Sequence, residues 1–245
     1  MPQAAPVTKK PILTRELGIF LGAMVLANLG GSLFYPFFGL YLSALGTPIE
    51  TIGLFFTMMA LFPLLFQIFG GWASDRIGRL RSIAIGSVAG AVSWLGMLLA
   101  PGLPHPLAWF LVSNAVGSIT VALVAPSYDA FIAEKADPGS RARVFAVVQS
   151  IFLVVGIAGP PIGGLIVQHL SFKVLTWTGA LLYWSATVIR IGMAKDLGKA
   201  GPQVGAGEAK GENLTFGKSL KAVLALFLSG GLFTLILLVD GALDI

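Results

Sequence analysis

Long stretches of apolar residues recur along most of the chain, separated by short breaks that are charged or rich in proline and glycine. A helix needs roughly 20 apolar residues to cross the hydrocarbon core of a bilayer. The pattern predicts about seven such helices, at Leu17–Ala44, Thr51–Trp72, Ser82–Ala100, Leu107–Phe131, Val144–Val167, Phe172–Met193 and Ala222–Val239. The sequence therefore predicts an all-α protein that crosses a membrane several times.

Composition supports lipid as the main solvent of the chain. Hydrophobic residues make up 56% and charged residues 11% of the sequence, and the mean hydropathy is +0.88. In water-soluble domains about a quarter of the residues are charged. The chain has no cysteine and two histidines, so neither a disulfide framework nor a thiolate metal site is available. We expect no enzyme activity, no catalytic residue, no metal and no cofactor.

The basic residues indicate topology rather than a nucleic-acid partner. Although the net charge is +5, lysines and arginines form short groups between the apolar runs instead of following one polar face. If the N-terminus is inside, all 16 except Lys173 fall in inner segments, Arg190 among them. This asymmetry is what the positive-inside rule describes. It predicts a multi-pass protein of the plasma (inner) membrane with a cytoplasmic N-terminus.

Breaks in the pattern suggest four parts. Residues 1–16 form an N-terminal segment and residues 17–193 a bundle of six helices. Residues 194–221, rich in Gly, Lys and Glu, read as a flexible cytoplasmic linker. Residues 222–245 hold the seventh helix. The predicted outer connections are short, so we expect function to lie within or between the helices.

The loop after the second span carries the strongest local signal. Its sequence, GGWASDRIGRLRS, fits the pattern Gly-x-x-x-Asp-Arg-x-Gly-Arg-x-Arg with Gly71, Asp75, Arg76, Gly78, Arg79 and Arg81. This resembles the signature loop of the major facilitator superfamily, which lies at the same place in the order of spans. The alternative is that the arginines merely anchor the loop inside. The resemblance implies a six-helix bundle followed by the start of a second bundle.

Two further stretches are similar to the same superfamily. The fifth span reads GIAGPPIGG and resembles the glycine- and proline-containing motif of its antiporters, with Gly156, Gly159, Pro160, Gly163 and Gly164. Gly159 and Gly163 share a helix face and would allow close packing, although such residues also serve generic packing.

Near the inner end of the fourth span, Asp129 matches an acidic position of some members. By resemblance we expect Asp75, Arg79 and Asp129 to form a cytoplasmic charge cluster that latches one conformation. The alternative for Asp129 is that its carboxylate simply reaches water at the interface.

A substrate cavity is expected between the helices, with Asn28, Tyr35 and Gln149 as candidate lining residues. The first span resembles the opening helix of drug/proton antiporters, and its aromatic, apolar character favours hydrophobic or amphiphilic cargo. The resemblance thus implies a secondary transporter working by alternating access, with membrane lipid and a small-molecule substrate as partners and protons as a candidate coupling ion.

Two alternatives stay open. One is a sugar or metabolite carrier of the same superfamily, and the other is a seven-helix receptor or scaffold that transports nothing. Since superfamily members usually have twelve spans, we expect the chain to be a fragment, or to pair with a second half.

Overall fold

A computed structural model describes residues 15–136 and 139–198, apart from the side chains at positions 64, 65, 67–69, 71, 75, 197 and 198. The predicted seventh span and most of the predicted linker lie outside the described residues. Within the described ranges the chain is helical and contains no strand. The helices are α1 (Arg15–Phe34), α2 (Phe38–Ala44), α3 (Ile49–Ile77), α4 (Arg79–Leu99), α5 (Pro106–Lys135), α6 (Arg141–His169) and α7 (Phe172–Gly198). The predicted all-α class is confirmed.

Several of these helices have the length and composition of membrane spans. In the described part of the chain four segments qualify: Arg15–Ala44, Arg79–Gly102, Pro106–Lys135 and Arg141–His169. A further apolar stretch, Ile49–Pro63, is shorter. The helices coincide with the first six predicted spans to within a few residues, whereas the total number of spans and the four-part division stay predictions.

The first predicted span is interrupted rather than continuous. A 3-10 turn at Tyr35–Phe37 separates α1 from α2. Pro36 lies in this turn, and proline has no N–H to donate to the preceding turn of an α-helix. Phe34 and Phe38, on either side of the break, are fully buried with their ring centroids 5.3 Å apart. The break therefore lies within the aromatic core.

The helices pack in a definite order around the bundle. Helix α1 lies between α6 and α7, α4 packs against α7 and α5, and α5 packs against α3. Glycine allows the closest approach of α1 to α7, because a Cβ atom at Gly30 would lie 2.7 Å from the carbonyl oxygen of Gly179. One end of the bundle carries Glu16, Arg79 and Lys135 and is called the charged end below.

Large apolar side chains cover much of the outer surface. On α6, Leu153, Val154 and Ile157 are each about two-thirds exposed. A water-soluble protein rarely exposes apolar patches of this extent. Helices with this outer surface are suited to a lipid surrounding.

Candidate functional site

A cavity of about 560 Å³ opens among α1, α4, α5 and α7. Pockets that bind small molecules typically have volumes of about 300–1,000 Å³. The cavity is large enough for a ligand of that class. Asn28 and Tyr35, both predicted from sequence as lining residues, lie on its wall. Gln149 does not line it, and its side chain is exposed on α6.

Aromatic rings form one wall of this cavity. The ring centroid of Trp94 lies 6.4 Å from that of Tyr35 and 6.5 Å from that of Tyr183. Gly90 leaves room for the Tyr183 side chain, because a Cβ atom at Gly90 would collide with the Tyr183 ring. The wall therefore offers flat apolar surfaces to a ligand.

Two polar side chains along the wall donate hydrogen bonds to backbone carbonyls. The amide nitrogen of Asn28 donates to the carbonyl oxygen of Met24 at 2.8 Å. The hydroxyl of Thr120 donates to the carbonyl oxygen of Gly86 at 2.7 Å, which ties α5 to α4. These groups shape the cavity and retain acceptor oxygens for a ligand.

Arg190 corrects the sequence-based interpretation of one basic residue. The distribution of positive charge had placed it among the inner topological residues, whereas its side chain is buried on α7 with 2% of its surface exposed. Its Nη1 donates to the hydroxyl of Ser87 at 3.0 Å, and its Nη2 contacts the sulfur of Met24 at 2.9 Å. Its guanidinium carbon lies 5.8 Å from the ring centroid of Tyr183. Among the described residues that line the cavity, Arg190 is the charged one.

The helical spacing of residues along α7 indicates that position 190 faces the interior. Tyr183, Ala186, Thr187 and Arg190 follow the spacing i, i+3, i+4, i+7, which places them on one face of α7. All four are buried. An arginine on the same stripe as apolar core residues is a candidate for the interior, and the count of basic residues alone missed it.

At the charged end, the loop between α3 and α4 positions Arg79, one member of the predicted cluster, against residues outside that cluster. Gly78 turns the chain with φ of 94°, a region that favours glycine. The Nη1 of Arg79 donates to the buried Ser74 hydroxyl at 3.1 Å. Its Nε lies 3.4 Å from a carboxylate oxygen of Glu134 on α5. Sequence reasoning had not singled out Glu134.

Two neighbouring contacts strengthen this connection. The hydroxyls of Ser74 on α3 and Ser127 on α5 lie 2.7 Å apart and are both buried. Lys135, also on α5, forms an ion pair of 2.8 Å with Glu16 of α1. The C-terminal part of α5 is therefore tied to α1, α3 and α4 at the charged end.

The remaining described residues of the predicted signature loop and latch make fewer contacts with other helices than Arg79 does. Arg76 stacks on the Trp72 ring at 4.5 Å, and Arg81 is exposed. Asp129 is also exposed, and within the described ranges no ion pair joins it to Arg79. The surroundings of Gly71 and the side chain of Asp75 are outside the described structure. The latch formed by Asp75, Arg79 and Asp129 stays a prediction.

The glycine- and proline-containing motif of α6 faces α1. Cβ atoms at Gly159 and Gly163 would collide with Ser32 and with the backbone of Leu33, and one at Gly164 would press on Phe37. Gly156, by contrast, has open space around it. The helix continues through Pro160 from Arg141 to His169. Three of the four predicted glycines thus lie at a helix contact.

Comparison with known proteins agrees with this architecture. The family model of the Major Facilitator Superfamily matches residues 20–243, which is most of the chain. The chain belongs to the Major Facilitator Superfamily. The resemblance inferred from the signature loop is therefore confirmed. Since this is a family of membrane transporters, the chain is a multi-pass membrane protein and not an enzyme.

Similar proteins fall within the same superfamily. The quinolone resistance protein NorA of Staphylococcus aureus (strain MRSA252) is 26% identical over 169 residues, or 69% of this chain and 42% of that protein. The uncharacterized MFS-type transporter YhjO of Bacillus subtilis (strain 168) is 27% identical, over 67% of this chain and 40% of its own. The matches therefore span less than half the length of these curated relatives.

Solved structures share the fold at low sequence identity. A peptide transporter POT, crystallised as an E310Q mutant in complex with sulfate, superposes with a TM-score of 0.66 at 16% identity. The match covers 95% of this chain and 47% of the transporter. A D-xylose-proton symporter gives a TM-score of 0.54 at 17% identity, covering 87% of this chain and 52% of that one. At these identities the comparison bears on the fold alone.

Proposed function

We propose that this chain forms part of a secondary active transporter that carries small solutes by alternating access. The observation that carries the proposal is the cavity among α1, α4, α5 and α7, found in a chain of a transporter superfamily. Solute sites in such folds lie near the membrane midplane between two halves that move against each other. The described helices would supply one of these two bodies.

For the cargo, we propose a drug-like or amphiphilic compound and the direction of export. Tyr35, Trp94 and Tyr183 line the cavity with rings that suit an apolar or aromatic solute. The relationship to NorA, named for quinolone resistance, supports this choice. A sugar or metabolite carrier is the alternative, because sugar recognition would use the hydroxyl and amide groups that also line the cavity.

The domain division also belongs to this proposal. Residues 17–193 would form the first bundle, residues 194–221 a linker, and residues 222–245 the first helix of a second bundle. The family match, which continues to residue 243, supports a common origin for these parts. The gene sequence beyond Ile245 tests it directly, since about five further spans are expected if residues 222–245 begin a second bundle of six.

The charged end would hold one conformation closed. Arg79 links α4 to Glu134 on α5, while Ser74 links α3 to Ser127. We expect Asp75 to complete this latch and Asp129 to join it in a different conformation. Exposed ion pairs contribute about 0–1 kcal/mol each. Such a latch could therefore bias an equilibrium without locking it.

Orientation can be tested because the chain has no native cysteine. Gly102 and Gly139 are exposed glycines at opposite ends of the bundle, with open space around both. If the N-terminus is cytoplasmic in the plasma membrane, an impermeant maleimide applied to intact cells should label Gly102→Cys. It should label Gly139→Cys after permeabilisation. The reverse pattern would refute the topology.

Transport is tested with the whole gene product to which these residues belong, reconstituted in vesicles with an imposed proton gradient. We expect gradient-dependent accumulation of an amphiphilic dye that collapses when a protonophore is added. Radiolabelled xylose serves as the competing cargo and protein-free vesicles as the control. Sugar accumulation without dye accumulation would favour the metabolite carrier. Ligand binding without accumulation of any solute would favour a receptor or scaffold.

A further inference from the structure

Arg190 is an isolated cation deep in the bundle. It contacts Met24 of α1, which lies eight residues beyond Glu16. At a rise of 1.5 Å per residue, Met24 stands about 12 Å from the ion pair of Glu16 with Lys135 at the charged end. The hydrocarbon core of a bilayer is about 30 Å thick. If the Glu16–Lys135 ion pair marks the edge of the hydrocarbon core, Arg190 lies close to the middle of the core, where an uncompensated charge is costly.

The described protein does not neutralise this charge. Glu16 is paired with Lys135 and Glu134 with Arg79, while Glu50, Asp129 and Asp196 are exposed. No carboxylate whose side chain the structure describes forms an ion pair with Arg190. A buried, unpaired arginine implies that an anionic group arrives from elsewhere.

The guanidinium also has hydrogen-bond donors to spare. It carries five N–H groups in a planar fork. One reaches the Ser87 hydroxyl and one the Met24 sulfur, which is a weak acceptor. Its Nε has no hydrogen-bond partner among the described residues, although it is fully buried. A carboxylate that accepts two parallel N–H bonds would match this free geometry.

The position of Arg190 suggests how a ligand would lie. Arg190 lines the same cavity as the aromatic residues Tyr35, Trp94 and Tyr183. A solute with an apolar or aromatic body could rest against those rings while its acidic group reached the guanidinium. A cation in the same place would be repelled by Arg190.

We propose that Arg190 is a substrate-binding residue that recognises a carboxylate, so that the transported solutes are acidic or zwitterionic amphiphiles. This inference rests on the proposed transport function and narrows its substrate class. The competing explanation is a structural counter-ion, in which an acidic side chain from another part of the assembly pairs permanently with Arg190. The two differ in whether Arg190 discriminates between charged and neutral ligands.

Two probes of the same shape separate these explanations. 1-Naphthaleneacetate carries a carboxylate, and 1-naphthaleneacetamide replaces it with a neutral amide. Their binding is measured by calorimetry on the whole gene product in lipid nanodiscs at pH 7.5. We expect the acid to bind about tenfold more tightly than the amide, as charge-assisted bidentate hydrogen bonds add to the shared aromatic contacts.

Variants assign the preference to Arg190. Arg190→Met removes the charge while keeping an unbranched side chain, and we expect both probes then to bind within about twofold of each other. Arg190→Lys should keep a weaker preference, because an ammonium group lacks the planar fork. The control is Arg143→Met, an exposed arginine in the first turn of α6, which should leave the preference intact.

Equal binding of the two probes to the wild type, binding of neither, or a preference that survives in Arg190→Met would overturn the inference. If the thermal unfolding curve shows that Arg190→Met does not fold, the binding measurements on Arg190→Lys are used instead. A preference for the acid in Arg190→Lys as strong as in the wild type would then count against the inference. Dye transport without acid preference would leave the proposed function standing and remove this inference alone. Acid preference without transport would remove the proposed function and leave Arg190 as a carboxylate-binding residue whose ligand is not transported.

Discussion

Replacing Gly30 with alanine tests the close contact between α1 and α7. The new Cβ atom would lie 2.7 Å from the carbonyl oxygen of Gly179. Carbon–oxygen contacts of this kind normally lie at about 3.3–3.6 Å. Helices α1 and α7 would therefore have to separate by roughly 0.6–0.9 Å. Because the obstacle is backbone, no side-chain rotation can relieve the clash.

The expected cost follows from this displacement. Overpacking a close-packed interior costs about 1–3 kcal/mol. For a protein of this size each kcal/mol lowers the Tm by about 2–4 °C. We therefore expect Gly30→Ala to unfold about 2–12 °C below its control. Since the same separation would pull Met24 away from Arg190, ligand affinity should fall as well.

Gly22→Ala is the matched control. It makes the same chemical change on the same helix, and a Cβ atom there meets nothing within 4 Å. Both substitutions gain the same helix propensity, about 1 kcal/mol at most. The difference in Tm between the two variants therefore reports the clash at Gly30. The measurement is intrinsic tryptophan fluorescence during thermal unfolding in one detergent. A Tm for Gly30→Ala equal to that of Gly22→Ala would refute the reasoning on the α1–α7 contact.

Two further predictions concern the charged end. Ser74→Ala removes a buried hydroxyl that contacts both Arg79 and Ser127, and we expect a loss of about 1–3 kcal/mol in the free energy of unfolding, measured as a lower Tm. Glu134→Gln removes the acid that faces Arg79 in this conformation, and we expect it to change the transport rate by up to about fivefold, the effect of a pair contributing up to 1 kcal/mol. We expect Asp129→Asn to change the rate less.

Controls for both are available within the chain. Ser150→Ala removes an exposed hydroxyl that bonds only to the carbonyl oxygen of Ala146 in the described structure. It should leave the Tm unchanged, and an equal loss in both variants would contradict a special role for Ser74. A larger rate change in Asp129→Asn than in Glu134→Gln would show that Asp129 is the controlling acid of the latch.

Much of the fold was determined by the sequence alone. Apolar runs long enough to cross a bilayer can only satisfy their backbone hydrogen bonds internally, so they predict helices without reference to any contact. The spacing of Gly78, Arg79 and Arg81 identified the loop between α3 and α4, and the family match agrees with it. Local signals sufficed here because helix formation and loop position depend on neighbours in the sequence.

Tertiary structure decided which polar groups meet. Glu134 approaches Arg79 across 55 positions of sequence, and Arg190 meets Met24 across 166. No periodicity within one helix reveals such a partner, since helix order and rotation come from packing between surfaces that include Gly30 and Gly163. The count of basic residues assigned Arg190 to the inner surface because the charge of a residue does not indicate how deeply it lies in the bundle. Its position beside the cavity follows from the face that α7 turns toward α1 and α4.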